Sequence, residues 1–133
     1  MTDEGAAADV GIDWGLKRVG VAVRIFGVVV PQEPILNPSR SRLVARLREI
    51  AREHGPGRVV LGYPLAASGN RVPLCDKVDA LAEYLRKQGF EVHLQRETGT
   101  TLEARELRTS HRRDGRTDSL AATIVLKRFL GMA

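Results

Sequence analysis

Cysteine is almost missing from this chain: Cys75 is the single one in 133 residues. A lone cysteine excludes an intramolecular disulfide and suits a reducing compartment, so a cytoplasmic location is expected. There is no CxxC and no His/Cys pair at zinc spacing, which removes thiolate zinc sites from consideration. Long apolar runs are also absent, so no segment reads as membrane-spanning and no membrane partner is expected. The N-terminus, Met1 to Asp9, is acidic where a secretory leader carries positive charge. Lysine is scarce, with four residues against seventeen arginines, and the net charge is +5 with a sequence pI near 10. Arginine forks match phosphate oxygens bidentately, which points to a polyanionic partner. A solvated arginine-rich surface accounts for the charge equally well.

The length fits one domain over 1–133, with residues 1–8 as a flexible N-terminal extension. Residues 9–14, 18–25 and 27–31 read as three strands joined by short turns. Gln32–Ser39, with Pro34 and Pro38, reads as a connecting loop. Ser39 or Ser41 can cap a helix whose apolar stripe is Leu43, Leu47, Ile50 and Ala51, ended by Gly55-Pro56-Gly57. Arg58–Tyr63 is a continuous apolar strand, as expected where both sheet faces are covered. A helix opens at Pro73, with Leu74, Val78, Leu81, Ala82 and Leu85 inward, and Cys75 within it as a small buried hydrophobe. Val92 and Leu94 alternate with Glu91, His93 and Gln95 in a half-exposed strand, where His93 faces solvent. The final helix opens at Thr117-Asp118-Ser119, with Leu120, Ala121, Ile124, Val125 and Phe129 inward.

Against this background Asp13 is out of place, because it interrupts the first apolar strand, Val10-Gly11-Ile12-Asp13-Trp14-Gly15. Burying an ionised carboxylate costs on the order of several kcal/mol unless a cation or strong donors meet it. The glycines Gly11 and Gly15 strip bulk beside it, so a ligand or a second backbone can approach closely. A buried aspartate satisfied by backbone donors is the weaker alternative. Glu97 ends a strand and has no evident structural duty, whereas Thr100 and Glu103 fit a capping box. Asp118 opens the last helix, where it could serve as an N-cap. Three such acids brought together repel one another, and Mg²⁺ or Mn²⁺ supplies the compensating charge. Two ions roughly 3.5–4 Å apart can activate water and stabilise the leaving oxygen of a phosphodiester. The basic segment Arg108–Arg116, together with Arg18 and Arg96, supplies candidate phosphate contacts, Arg112, Arg113 and Arg116 foremost.

Four blocks in order resemble the YqgF (RuvX-like) family of bacterial nucleases, over roughly residues 9–130. They are Gly11-Ile12-Asp13-Trp14-Gly15 with Lys17-Arg18-Val19-Gly20-Val21-Ala22, then Val60-Leu61-Gly62-Tyr63-Pro64-Leu65, then Glu97 with Thr100–Ala104, and last Thr117–Ala122. The resemblance implies a ribonuclease H-like α/β fold: a five-stranded mixed sheet, its first three strands antiparallel, flanked by helices. It implies Asp13, Glu97 and Asp118 as a catalytic, metal-binding triad, with Lys17 and Arg18 facing nucleic-acid phosphate. The third block departs from the family's usual Asp-Glu-Arg-hydrophobic pattern and reads Arg96-Glu97-Thr98-Gly99. Positions 96 and 98 share a face in an extended strand, so Arg96 is a candidate replacement for the missing cation.

The family is described as pre-16S rRNA nucleases or Holliday junction resolvases. The leading expectation is a Mg²⁺- or Mn²⁺-dependent endonuclease trimming structured precursor rRNA during ribosome maturation, as a monomer or weak homodimer. A resolvase cutting branched DNA is the second, and a non-catalytic nucleic-acid-binding module the third. The glycine-flanked aspartate is also similar to the first phosphate loop of actin-like ATPases, but those need two such domains and this chain has room for one.

Overall fold

The computed structural model describes residues 7–66, 68–97 and 115–132, with side chains in the last stretch from Ser119 onward. Val10–Trp14 (β1), Arg18–Ile25 (β2) and Val28–Pro31 (β3) form an antiparallel meander, with Asp13 opposite Gly20 and Val23 opposite Val30. The β2–β3 turn puts Phe26 at φ 49° and Gly27 at φ 82°. A two-residue hairpin turn asks for this left-handed pair, which glycine supplies freely.

The segment after β3 is not all loop, and among the described residues the sheet has six strands where five are expected. Ile35–Leu36 (β4) pairs antiparallel with Arg18 and Val19. The cause is the length of β2, whose partnership with β3 covers only Ala22 to Ile25. The β2 backbone groups before Ala22 need partners, and β4 supplies them at Arg18 and Val19 while burying Ile35.

Arg40–His54 (α1) starts where the Ser39 hydroxyl accepts the Arg42 amide at 3.1 Å, and it buries Leu43, Leu47 and Ile50. Val59–Pro64 (β5) then lies parallel to β1, with Val10 to Ile12 beside Val59 to Leu61. Pro73–Lys87 (α2) begins on its proline and buries Cys75, Val78, Leu81, Ala82 and Leu85. The Cys75 thiol donates to the Pro64 carbonyl at 3.5 Å. Val92–Glu97 (β6) adds parallel to β5, giving the order β3-β2-β1-β5-β6 with β4 also on β2. Gly115–Phe129 (α3) closes the described chain.

Side-chain alternation divides the sheet into two faces. Val10, Ile12, Val19, Val21, Val23, Val59 and Leu61 face α1 and α2, while Ala22, Val29 and Val60 meet Ala122, Val125 and Leu126 of α3. Each leucine or isoleucine so buried contributes about 2 kcal/mol relative to exposure. Gly11 lets α3 sit directly on β1: a Cβ there would lie 2.6 Å from the Ala122 carbonyl oxygen and 2.7 Å from Leu126 Cβ.

That contact fixes the rotation of α3 and corrects its expected inner face. Ala122 and Leu126 are buried with Ala121 and Val125, whereas Leu120 is 46% exposed. Leu94 is likewise exposed while Val92 is buried, because β6 has one neighbour, β5, among the described strands. Ala8 packs in the core against Gly57, so an extension of residues 1–8 is too long by at least that residue. Among the described residues, no helix is long and apolar enough to cross a membrane.

Candidate active site

Asp13 stands one residue before the end of β1 and is 7% exposed. It shares a sheet face with Gly11, the face covered by α3. The two glycines that flag it in the sequence do separate jobs. Gly11 admits the α3 backbone, and Gly15 permits the tight β1–β2 turn, where a Cβ would fall 2.6 Å from the Arg18 carbonyl oxygen. Of the two sequence-based expectations, a second backbone is therefore the neighbour Gly11 serves.

Glu97 comes to the same face from the far edge. It is the last residue of β6, opposite Pro64, and is 1% exposed. The glycine that matters to it is Gly62, where a Cβ would lie 2.7 Å from Glu97 Cδ and 2.8 Å from Oε2. Gly62 is the residue after Leu61, and Leu61 pairs with Ile12, so Gly62 continues the register beside Asp13. The Glu97 carboxylate thus lies across β5 above Gly62, on the side where Asp13 emerges. Two buried carboxylates are brought to one end and one face of the sheet.

The backbone of Asp118 lies in the first turn of α3, three residues after the helix begins at Gly115. Asp118 is therefore inside the helix and not its N-cap. Its side chain lies outside the described residues. Its neighbour Ser119 shows where that turn is pinned: the buried Ser119 hydroxyl accepts the Val21 amide at 3.2 Å and donates to the Gln32 carbonyl at 2.5 Å. Val21 follows Gly20, the partner of Asp13, so the turn carrying Asp118 is anchored one residue from the Asp13 pair. Sequence reading misses Ser119, although a serine followed by the small residues Ala121 and Ala122 is a signal of close helix–sheet contact.

The candidate cations are more scattered. Lys17 is exposed in the β1–β2 turn, and Arg18 is half-buried at the start of β2, both next to the acid-bearing end. Arg96 is exposed and pairs in register with Tyr63, so it alternates to the face opposite Glu97. Arg112, Arg113 and the Thr100–Glu103 capping box lie outside the described residues, as does the Arg116 side chain. His93 is half-exposed, with Nε2 2.6 Å from a Glu91 oxygen and its ring 5.1 Å from Phe129.

Two polar clusters escape the sequence reading. The fully buried Asp9 receives the Arg58 backbone amide at 2.8 Å and the Arg58 guanidinium at 3.1 and 2.8 Å, with Arg24 3.6 Å away. Burial by itself would raise the Asp9 pKa, but the Arg58 hydrogen bonds and the charges of Arg58 and Arg24 outweigh it and hold the carboxyl below its usual range. The signal was the alternation of Asp9 with Gly11 and Asp13, and an arginine opening an apolar strand. In the second cluster, Arg71 bridges Asp76 at 2.6 Å and Asp79 at 3.2 Å and donates to the Tyr63 hydroxyl, which donates to Asp79. It ties the segment after β5 to the start of α2.

Asp13 and Glu97 offer only carboxylate oxygens, the donor type preferred by hard divalent ions such as Mg²⁺ and Mn²⁺. Both lie on one face at one end of the sheet, where the ligands of a single ion must converge. The residues present fit such an ion.

Comparison with known proteins agrees with this geometry. The RuvX family model, described as Holliday junction resolvase, matches residues 8–132. A Bordetella petrii protein named "Putative pre-16S rRNA nuclease" is 32% identical over 121 residues, covering 89% of this chain and 90% of its own length. Proteins of the same name from Agathobacter rectalis and Prosthecochloris aestuarii are 34% and 29% identical, over 90% and 98% of this chain and 92% and 97% of their own lengths. Among solved structures, T. thermophilus RuvC in complex with Holliday junction substrate superposes with a TM-score of 0.53 at 16% identity, covering 96% of this chain and 98% of that one. The likeness is one of fold, a ribonuclease H-like sheet flanked by helices.

Proposed function

The chain belongs to the RuvX family, and we propose that this nuclease of ribonuclease H-like fold is metal-dependent and trims the 5′ end of precursor 16S rRNA during ribosome maturation. The observation that carries the reading is the pair of buried carboxylates, Asp13 and Glu97, with Gly62 cleared for the second. Asp118, on the pinned first turn of α3, completes the set as third ligand. Mg²⁺ or Mn²⁺ held by these acids would supply an activated water and charge stabilisation for the leaving oxygen.

The protein's own part is placement. Asp13 and Glu97 sit on strands, so their carboxylates keep a fixed separation while substrate comes and goes. Lys17 and Arg18, at the same end, meet substrate phosphate, with Arg96, Arg112, Arg113 and Arg116 adding contacts further along the strand. The choice of precursor rRNA follows the names of the curated relatives. The enzyme works in the cytoplasm as a monomer or weak dimer.

Resolution of a four-way DNA junction is the second reading, favoured by the likeness to RuvC. It requires two symmetric cuts and hence a two-fold dimer, which buries an apolar patch of standard size. The outer face of α1 instead carries Arg42, Arg48, Glu49, Arg52 and Glu53. Light scattering followed by cleavage of a precursor-like RNA and a synthetic junction offered together, with Mg²⁺ or Mn²⁺, decides the matter. We expect a monomer or weak dimer that cuts the RNA. A stable dimer making paired cuts in the junction and sparing the RNA would overturn this ranking.

A further inference from the structure

We propose that the groove beside Trp14 is a nucleobase pocket, in which an unpaired base of the bound strand stacks on the indole and an adjoining phosphate meets Arg40 and Lys77. The proposal rests on the nuclease reading for the origin of the strand; the stacking itself is argued from the groove. Trp14 follows Asp13 on β1 and alternates to the opposite face, toward α1 and α2. There a groove of about 470 Å³ opens between the β1–β2 turn, the start of α1 and the first half of α2. Its volume falls among pockets that hold small organic groups, about 300–1,000 Å³.

The lining has the two chemistries a nucleotide needs. Trp14, Leu16, Pro38 and Leu81 give it apolar walls. Trp14 is only partly covered by the core, and Leu16 beside it is 75% exposed on the turn. Arg40 and Lys77 supply the positive charge, and both are exposed. The one acid on the wall, Asp76, is held by Arg71 at 2.6 Å, so its charge is already answered. An aromatic surface flanked by cations is how single strands are gripped, since every base has a π face and every linkage a phosphate. Arg40 itself stacks 5.1 Å above the Tyr84 ring, which steadies its guanidinium at the rim.

Continuity with the acids argues for a strand over other occupants. Asp13 and Trp14 are neighbours at the end of β1, so a strand rounding the β1–β2 turn from the acid-bearing face comes to the Trp14 face.

Trp14 is the sole tryptophan, so its emission reports this pocket alone. Metal-free protein is titrated with a short oligouridylate, an oligoadenylate and an abasic oligomer of equal length and charge. We expect saturable quenching by the two base-bearing strands and little by the abasic one. Trp14→Leu should weaken base-bearing strands about tenfold by anisotropy, the scale of one lost stack, and abolish their advantage over the abasic strand. Should Trp14→Leu fold poorly by circular dichroism, Leu16→Ala and Lys77→Ala probe the wall and rim from exposed positions. Leu16→Ala should narrow the base-bearing advantage, and Lys77→Ala should weaken all three strands alike. Equal affinity for base-bearing and abasic strands, or binding with unchanged Trp14 emission, overturns the pocket and leaves the nuclease reading standing. Absence of any strand binding also overturns the pocket, while cleavage of precursor-like RNA with Mg²⁺ or Mn²⁺ tests the nuclease reading separately.

Discussion

Asp9, just before β1, and Asp13, near its end, lie on the same face, both nearly sealed from water at 0% and 7% exposure, yet their surroundings differ in kind. At Asp9 the chain converges on the carboxylate, with two guanidinium bonds and a backbone amide from Arg58 and the charge of Arg24. Arg58 is itself seated over the Phe129 ring at 5.0 Å. At Asp13 the sheet opens instead. Gly20 stands opposite on β2, Gly62 follows on β5, and a second buried acid, Glu97, leans into the space. Burial of an acid is therefore no mark of chemistry; what the fold brings to it decides. One end of β1 holds its aspartate with two arginines, and the other brings a second acid to its face.

The sharpest way to break the comparison is to remove each charge in turn. Asp13→Asn keeps the shape and removes the charge proposed to hold the metal, so cleavage should fall about 10³-fold or more, the scale of lost transition-state charge stabilisation. Folding should survive, which a denaturant midpoint measured without metal checks. A fully active Asp13→Asn enzyme would end the assignment of this end as the catalytic one.

Asp9→Asn should do the reverse. Removing one partner of a buried pair costs about 3–5 kcal/mol; with Arg58 38% exposed and partly solvated, about 2–3 kcal/mol is expected. Cleavage by the fraction that stays folded should be unchanged. The pH dependence has a definite sign. Asp9 has a lowered pKa in the folded state, so its stabilisation is fully present above the unfolded value near 3.9 and is lost as pH falls through the depressed one. Wild type should thus lose stability on acidification over that window more steeply than Asp9→Asn. Parallel acid-unfolding curves would show that the Arg58 and Arg24 contacts contribute nothing.

The contrast also marks what could be read from the sequence. Asp13 is conspicuous because an acid breaks an apolar run, and the strands and helices around it follow from alternation, the Ser39 cap and Pro73. Asp9 is inconspicuous because it precedes that run, and its partners are 15 and 49 positions away, joined only by the register of three strands. β4 was hidden for a similar reason: two residues between prolines carry no period, and only the unmatched length of β2 demands them. The rotation of α3 was set by the contact of Gly11 with Ala122 and Leu126, so Leu120 could not be told from an inward residue by spacing alone. Gly62 stood within a recognised block, but its reason was the side chain of Glu97, two strand positions further along.

That reason gives the next test. Gly62→Ala adds a methyl 2.7 Å from Glu97 Cδ, which must displace the carboxylate. A misplacement near 1 Å can cost about 10²-fold in rate, so a 10- to 100-fold loss is expected, with stability little changed because alanine suits a strand better than glycine. Gly27→Ala, in open space at the other end, should leave the rate alone, though its φ of 82° makes it slightly destabilising. Equal rates for both variants would mean that the position of Glu97 is not critical.

The smallest effect concerns the arginines, which the comparison divides into two populations. Arg24 and Arg58 serve Asp9, whereas Arg112, Arg113 and Arg116 are assigned to substrate phosphate. Each phosphate neutralised on a single strand releases counterions and adds about 0.7 to the slope of log affinity against log salt. Replacing the three arginines by alanine should flatten that slope by about 2, with only a modest loss of affinity at moderate salt. Arg24→Ala should lower the melting temperature and leave the slope untouched, since its charge is directed at Asp9 and away from the solvent a strand would occupy. If the slopes of the two variants matched, the division of arginines between holding the fold and holding the substrate would fail, and the +5 charge would act on nucleic acid only as a diffuse field.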